Sequence, residues 1–252
     1  NCRPFDEKAL FEKYAKEFSL ELVLCPDAPN LENAELARGS GCIDIITSKM
    51  DRELLKRFAD YGVKYVTTRT IGYDHIDIEA AREFGMTVAN APYGPHGVAD
   101  YATMLLLMTI RRMKRILQRT EIQDYTLAGI QGRELKDLTV GVIGTGRIGR
   151  CVLSNLSGFG CKRLAYDLYE NEEVKKSGAV YVSLEEMWKQ ADVITLHAPL
   201  TEDNYHMIDA KAIASMKDGV MIVNTARGGL IDTGALIDGI ESGKIGGAGL
   251  AV

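Results

Sequence analysis

Leu138-Thr-Val-Gly-Val-Ile-Gly-Thr-Gly-Arg-Ile-Gly149 decides how this 252-residue chain is read. Residues 139–143 form a short run rich in β-branched side chains, the composition of a buried parallel strand. Gly144, Gly146 and Gly149 follow in G-x-G-x-x-G spacing. Residues 147–159 then read as a helix, with Ile148, Val152, Leu153 and Leu156 on one face. Strand, glycine turn and helix in this order form the dinucleotide-binding fingerprint. Each glycine has its own reason. Gly144 permits the tight turn, and Gly146 lets the backbone approach a pyrophosphate. Gly149 lets the helix pack on the strand, so the free N–H groups at its start, around Arg147 and Ile148, point at the phosphates.

The glycine spacing alone is weak evidence, because glycine-rich turns are common. The flanking elements and a second strand strengthen it. Arg163-Leu-Ala-Tyr-Asp167 ends in an acid at the required distance, about 20 residues on. A carboxylate there accepts hydrogen bonds from the adenosine ribose hydroxyls and repels the extra phosphate of NADP. The expected cofactor is therefore NAD.

The bulk composition narrows the class. Hydrophobic residues make up 46% and charged residues 26%, ordinary for a soluble globular protein. The net charge of −5 carries no nucleic-acid footprint. One basic cluster, Arg111-Arg-Met-Lys-Arg115 with Arg119, lies on a helical stretch and reads as a solvated or interface face. The five cysteines, Cys2, Cys25, Cys42, Cys151 and Cys161, are odd in number and lack C-x-x-C spacing. That pattern argues against a disulfide framework or a zinc site and fits a reducing cytoplasm. The longest apolar run, residues 104–110, is too short to span a bilayer, so no membrane partner is expected.

Strand-like and helical stretches alternate throughout, the pattern of an α/β fold with parallel sheets. Strands are predicted at 20–25, 42–47, 63–68 and 86–89, with helices at 5–18, 51–61 and 76–84 between them. A single long helix is predicted over 97–118, with Asp100 in its first turn, at the positive end of the dipole. Beyond the fingerprint, strands are predicted at 163–166, 180–182, 193–197, 220–224 and 247–250, with helices at 184–190 and 233–242. The Pro/Gly cluster Ala91-Pro-Tyr-Gly-Pro95 interrupts both periodicities, so the domain junction is placed there, dividing 1–93 from 94–252. Both ends read as incomplete: the chain starts directly before a helix and stops at the end of a buried strand.

Four further motifs stand near predicted C-terminal strand ends. They are Thr70-Ile-Gly-Tyr-Asp-His-Ile-Asp77, Asn90-Ala-Pro-Tyr93, Val193-Ile-Thr-Leu-His-Ala-Pro199 and Val223-Asn-Thr-Ala-Arg-Gly-Gly-Leu-Ile-Asp232. Together with the glycine motif they closely resemble the D-specific 2-hydroxyacid dehydrogenases, nearest to the D-lactate dehydrogenase-like branch. The resemblance runs from about Arg3 to Val252. It implies two Rossmann-like domains: a flavodoxin-like substrate domain in 1–93 and an NAD-binding Rossmann domain in 94–252. It also implies reduction of a small 2-keto acid to an (R)-2-hydroxy acid with NADH, or the reverse.

By the same resemblance, Arg227 is the substrate arginine that holds the carboxylate and orients the keto group. A guanidinium suits that role, being a rigid fork that stays charged. Ile71 and Gly72 match a loop whose N–H groups face the same carboxylate, and Tyr93 matches an active-site tyrosine. His197 matches a histidine beside the cofactor, with Ala198, Pro199, Thr225 and Ala226 flanking the same site. His75, His96 and His206 read as structural.

The pattern departs from the family in two places. The family's proton donor, a histidine paired with a glutamate, has no counterpart among these residues. The span 1–252 is therefore expected to be an inactive fragment. Ala251 stands where the family has an aspartate that contacts the nicotinamide carboxamide. An NAD-binding sensor or corepressor on the same fold is the alternative, and retention of Arg227 and Tyr93 weighs against it. In the family the region of the long helix lies at a dimer interface, so a homodimer is expected; internal burial of that helix is the competing reading.

Overall fold

The computed structural model describes residues 1–252 and divides into two units, Asn1–Tyr93 and Gly94–Val252. The first unit runs α1 (Lys8–Glu17), β1 (Cys42–Ile45), α2 (Arg52–Asp60), β2 (Tyr65–Thr68), α3 (Ile78–Glu83) and β3 (Thr87–Asn90). Its three strands form a parallel sheet in the order β1-β2-β3. Ile45 and Val66 from the sheet pack with Leu55, Phe58, Ala80 and Ala81 from α2 and α3. Both helices open on an aspartate cap: Asp51 accepts the Leu54 N–H at 3.1 Å and Asp77 the Ala80 N–H at 2.9 Å.

Two expectations for this unit are corrected. Residues 20–25 are not a strand. Leu20, Leu22 and Val23 are 64%, 39% and 59% exposed, and the sheet contains only β1, β2 and β3. A strand-like composition forms a strand only where a neighbouring backbone completes the ladder. The first helix begins at Lys8, not at residue 5. The Arg3 N–H instead bonds the Glu7 carboxylate at 2.8 Å, and Arg69 Nε reaches that carboxylate at 3.1 Å, holding the preceding residues in turns.

The second unit begins with α4 (His96–Ile110) and α5 (Met113–Glu121). The fingerprint follows as β4 (Thr139–Ile143) and α6 (Arg147–Ser157). The chain continues through β5 (Lys162–Tyr166), α7 (Glu172–Lys176), β6 (Val180–Tyr181), α8 (Leu184–Gln190) and β7 (Val193–Leu196). It ends with α9 (Ala210–Ser215), β8 (Val220–Asn224), α10 (Thr233–Glu241) and β9 (Ile245–Leu250). All six strands are parallel, in the order β6-β5-β4-β7-β8-β9. This is the doubly wound Rossmann order. Both sheet faces are covered. Leu106, Ile110, Val152 and Leu156 lie on one side with Val140 and Val142. Met187, Ile213 and Leu236 lie on the other with Ile194 and Ile222. Each such side chain contributes about 1.5–3 kcal/mol when fully buried.

The single long helix is also corrected. It breaks at Arg112, whose φ of 54° is left-handed, giving α4 and α5. Ile110 supplies the last buried side chain of α4, and α5 buries none. The Arg133 N–H takes the Ile110 carbonyl at 3.0 Å, so a neighbouring segment stabilises the break. Asp100 is not in the first turn, because α4 starts at His96. Its carboxylate accepts instead from Asn155 Nδ2 at 3.1 Å.

Candidate active site

In a doubly wound sheet the chain leaves adjacent strands toward opposite faces at one point, and ligands bind in the crevice that opens there. Here that point lies between β4 and β7, paired in parallel from Val140 to Ile143 and from Val193 to Leu196. The loops after β4, β7 and β8 therefore emerge side by side, and they carry most of the candidate residues.

The three glycines act as distinct devices. Gly144 has a φ of +90°, and a Cβ there would lie 2.5 Å from the Ala198 nitrogen and 2.6 Å from the His197 carbonyl carbon. The glycine turn thus presses directly on the loop after β7. At Gly149 a Cβ would lie 1.9 Å from the Gly144 oxygen, so only glycine lets α6 start this close to the turn. Gly146 is different: its Cβ would meet nothing within 4 Å. Its backbone faces open space, where the free N–H groups of the first turn of α6, at Arg147 and Ile148, can receive an anion.

Asp167 follows the end of β5. Its Oδ2 accepts the Thr145 N–H at 2.6 Å and lies 3.1 Å from the Thr145 hydroxyl, while Oδ1 accepts the Tyr169 N–H at 3.2 Å. The acid is tied to the glycine turn itself. Sequence reasoning passed over Thr145, which is the variable position inside the motif.

The loop after β8 is built around Asn224, fully buried at 0% exposure. Its Oδ1 accepts the Ala226 N–H at 2.9 Å and its Nδ2 donates to the Arg227 carbonyl at 2.8 Å. One amide thereby brackets the turn that presents Arg227. An asparagine at a strand end followed by a turn is the signal that could have found it. The Arg227 Nη1 donates to the Ala226 carbonyl at 2.7 Å. Between them, the hydroxyl of Thr225 is buried without a hydrogen-bond partner. A buried orphan hydroxyl in a ligand crevice fits a bound polar group. Together with the open face of Gly146, it makes these residues suited to a dinucleotide.

His197 Nε2 lies 2.9 Å from the Thr195 hydroxyl. Burial lowers the pKa of the ring from 6.5 to about 4. It is therefore neutral near pH 7 and a poor proton donor. The sign of the linkage is clear. The unfolded chain takes up a proton below pH 6.5 that the folded chain refuses until about pH 4. Stability is thus expected to fall across that window, by up to roughly 3 kcal/mol. Thermal melts from pH 7.5 to 5 should show the decline, and His197→Asn should flatten it above the carboxylate range. An unchanged pH profile in the variant would assign the decline elsewhere.

In the first unit, Ile71 and Gly72 lie in the loop after β2. The Ile71 carbonyl accepts from Asn90 Nδ2 at 2.7 Å and the Gly72 carbonyl from the Thr70 hydroxyl at 2.6 Å. Both carbonyls are held, which fixes the peptide orientation of the loop. Tyr93 ends this unit and is 47% exposed. His75 lies 3.2 Å from the Thr68 hydroxyl. In the second unit, His96 lies 3.2 Å from Cys151 Sγ, and His206 stacks on Tyr205.

Comparison with known proteins agrees with this geometry. Residues 103–252 match the family model described as D-isomer specific 2-hydroxyacid dehydrogenase, NAD binding domain. The chain is 48% identical over 252 residues to an aromatic 2-oxoacid reductase of Clostridium sporogenes, covering 99% of this chain and 76% of that protein. It is 40% identical over 248 residues to a D-lactate dehydrogenase of Lactiplantibacillus pentosus, covering 97% and 75%. Among solved structures, the Aquifex aeolicus D-lactate dehydrogenase complexed with NAD and lactic acid superposes with a TM-score of 0.92 at 36% identity. The match covers 99% of this chain and 75% of that one.

Proposed function

The chain belongs to the D-isomer specific 2-hydroxyacid dehydrogenases, in the D-lactate dehydrogenase-like branch, and on that premise we propose that it reduces a small 2-keto acid to the (R)-2-hydroxy acid. Its second unit contains the family's NAD-binding domain. The cofactor, when bound as NADH, supplies the hydride. The observation that carries the reading is Arg227, on the loop after β8 whose turn the buried Asn224 amide brackets. A guanidinium held there clamps the substrate carboxylate and orients the carbonyl carbon. Ile71 and Gly72, on the carbonyl-tied loop after β2, and Tyr93 are assigned to substrate binding within a flavodoxin-like substrate domain in residues 1–93. The pyrophosphate would be held at Gly146 and the N–H groups of Arg147 and Ile148, with Gly144 and Gly149 shaping the turn, and Asp167 would take the adenosine ribose. His197, Ala198, Pro199, Thr225 and Ala226 line the nicotinamide end. The test is NADH oxidation followed by absorbance with a panel from pyruvate to aromatic 2-keto acids.

Asp167 is expected to make NADH bind more tightly than NADPH, and Asp167→Ala to relax the preference. Fluorescence titration of both cofactors checks this; tighter NADPH binding by the unaltered protein would contradict it.

A homodimer is the proposed assembly. Beside α4 and α5 lies a groove of about 1070 Å³, lined by Met104, Leu107, Met108, Ile116 and Phe159. The segment after α5 exposes Ile122, Tyr125 and Leu127 at 76%, 74% and 75%. Apolar groups this open are characteristic of an interface. Light scattering is expected to give twice the chain mass, and a stable monomer would contradict the assignment. No helix is long and apolar enough to cross a membrane.

A further inference from the structure

We infer that the hydroxyls of Tyr181 and Thr145 are positioning groups that hold the Asp167 carboxylate in place and thereby set the preference for NADH over NADPH. The inference rests on the reading of Asp167 as the ribose-binding acid. Tyr181 lies at the end of β6, and its hydroxyl is 2.7 Å from the Thr145 hydroxyl and accepts the Asn171 N–H at 2.9 Å. The Thr145 hydroxyl in turn lies 3.1 Å from Asp167 Oδ2.

The direction of each bond follows from the acceptor at the end. A carboxylate at neutral pH only accepts, so the Thr145 hydroxyl donates to Asp167. Its lone pairs are then free to accept, and the Tyr181 hydroxyl donates to it. The Tyr181 oxygen accepts the backbone N–H of Asn171. Every proton in this relay points toward Asp167. Thr145 is 3% exposed, so these bonds form with little competition from water.

Oδ2 also receives the Thr145 N–H and is fully committed to the protein. Oδ1 carries the Tyr169 N–H alone among these contacts, at 3.2 Å, and keeps acceptor capacity for a ribose diol. A carboxylate fixed in this orientation cannot swing aside for a ribose 2′-phosphate. Loosening it weakens the diol contact and lowers the electrostatic barrier to the phosphate at the same time.

The test is the ratio of NADPH to NADH dissociation constants in the whole protein, with folding checked by circular dichroism and melting. Tyr181→Phe keeps the ring and removes the hydroxyl. It is expected to weaken NADH roughly fivefold, the loss of about one hydrogen bond, while NADPH is unchanged or tightened. Thr145→Val should act likewise, and Thr145→Ser should retain the original ratio. Asp167→Ala should collapse the ratio. If Asp167→Ala collapses it while Tyr181→Phe and Thr145→Val leave it unchanged, the positioning role is overturned and the ribose assignment stands. If Asp167→Ala leaves the ratio unchanged, the ribose assignment itself fails, and the positioning role with it.

Discussion

Replacing Arg227 with lysine is expected to lower kcat/KM for 2-keto acids by roughly 10²-fold or more. The charge survives the change, so a purely electrostatic role predicts a small loss. The geometry predicts a large one. Asn224 is buried and spends both ends of its amide on the turn around Arg227, and the guanidinium is further held by the Ala226 carbonyl. In the proposed role the guanidinium would meet the substrate carboxylate as a two-pronged donor. A lysine ammonium offers a single mobile point of charge and does not fix the carbonyl for hydride attack. Steady-state kinetics on the whole gene product tests this, with NADH affinity as a control that should change little. A near-unchanged kcat/KM would remove Arg227 from the site.

The span 1–252 is expected to turn over no 2-keto acid detectably. Reduction of a carbonyl needs a proton for the developing alkoxide, and absence of the donor costs roughly 10²–10⁴-fold. The four histidines in the span are His75, His96, His197 and His206. His197 is closest to the cofactor loops, but burial takes its pKa down to about 4, so near pH 7 it carries no acidic proton. His75 is bonded to Thr68, His96 lies against Cys151, and His206 is stacked on Tyr205 with Asp232 3.8 Å away. Ala251 offers no side-chain acceptor for a carboxamide. The span can be checked for folding by circular dichroism and followed by NADH absorbance. Saturable turnover by the folded span would mean that one of these histidines is the acid, and His197 would be the first to replace.

The parts of the fold that were legible in the sequence are those whose local physics and tertiary setting agree. The β4 turn and α6 are an instance: a β-branched run must be buried on both faces, and the glycines at 144 and 149 are required by close backbone approaches. Residues 20–25 and 97–118 misled for a common reason. Strand composition at 20–25 says nothing about whether a ladder partner is present. Apolar and basic residues at 97–118 are good helix formers with no glycine or proline after Gly97. The break at Arg112 is accompanied by a bond from Arg133, distant in sequence, to the Ile110 carbonyl. In the site, charged and glycine positions stood out because each has few other uses. Thr145, Tyr181 and Asn224 did not, because their roles exist only through hydrogen bonds that close in three dimensions.

NADH oxidation by the protein with 2-keto acids, combined with chiral analysis of the product, tests the proposed activity. Saturable oxidation that yields the (R)-2-hydroxy acid, and that is lost with Arg227→Lys, is the predicted result. Tight NADH binding with no turnover of any 2-keto acid would contradict the account and leave a binding protein in its place.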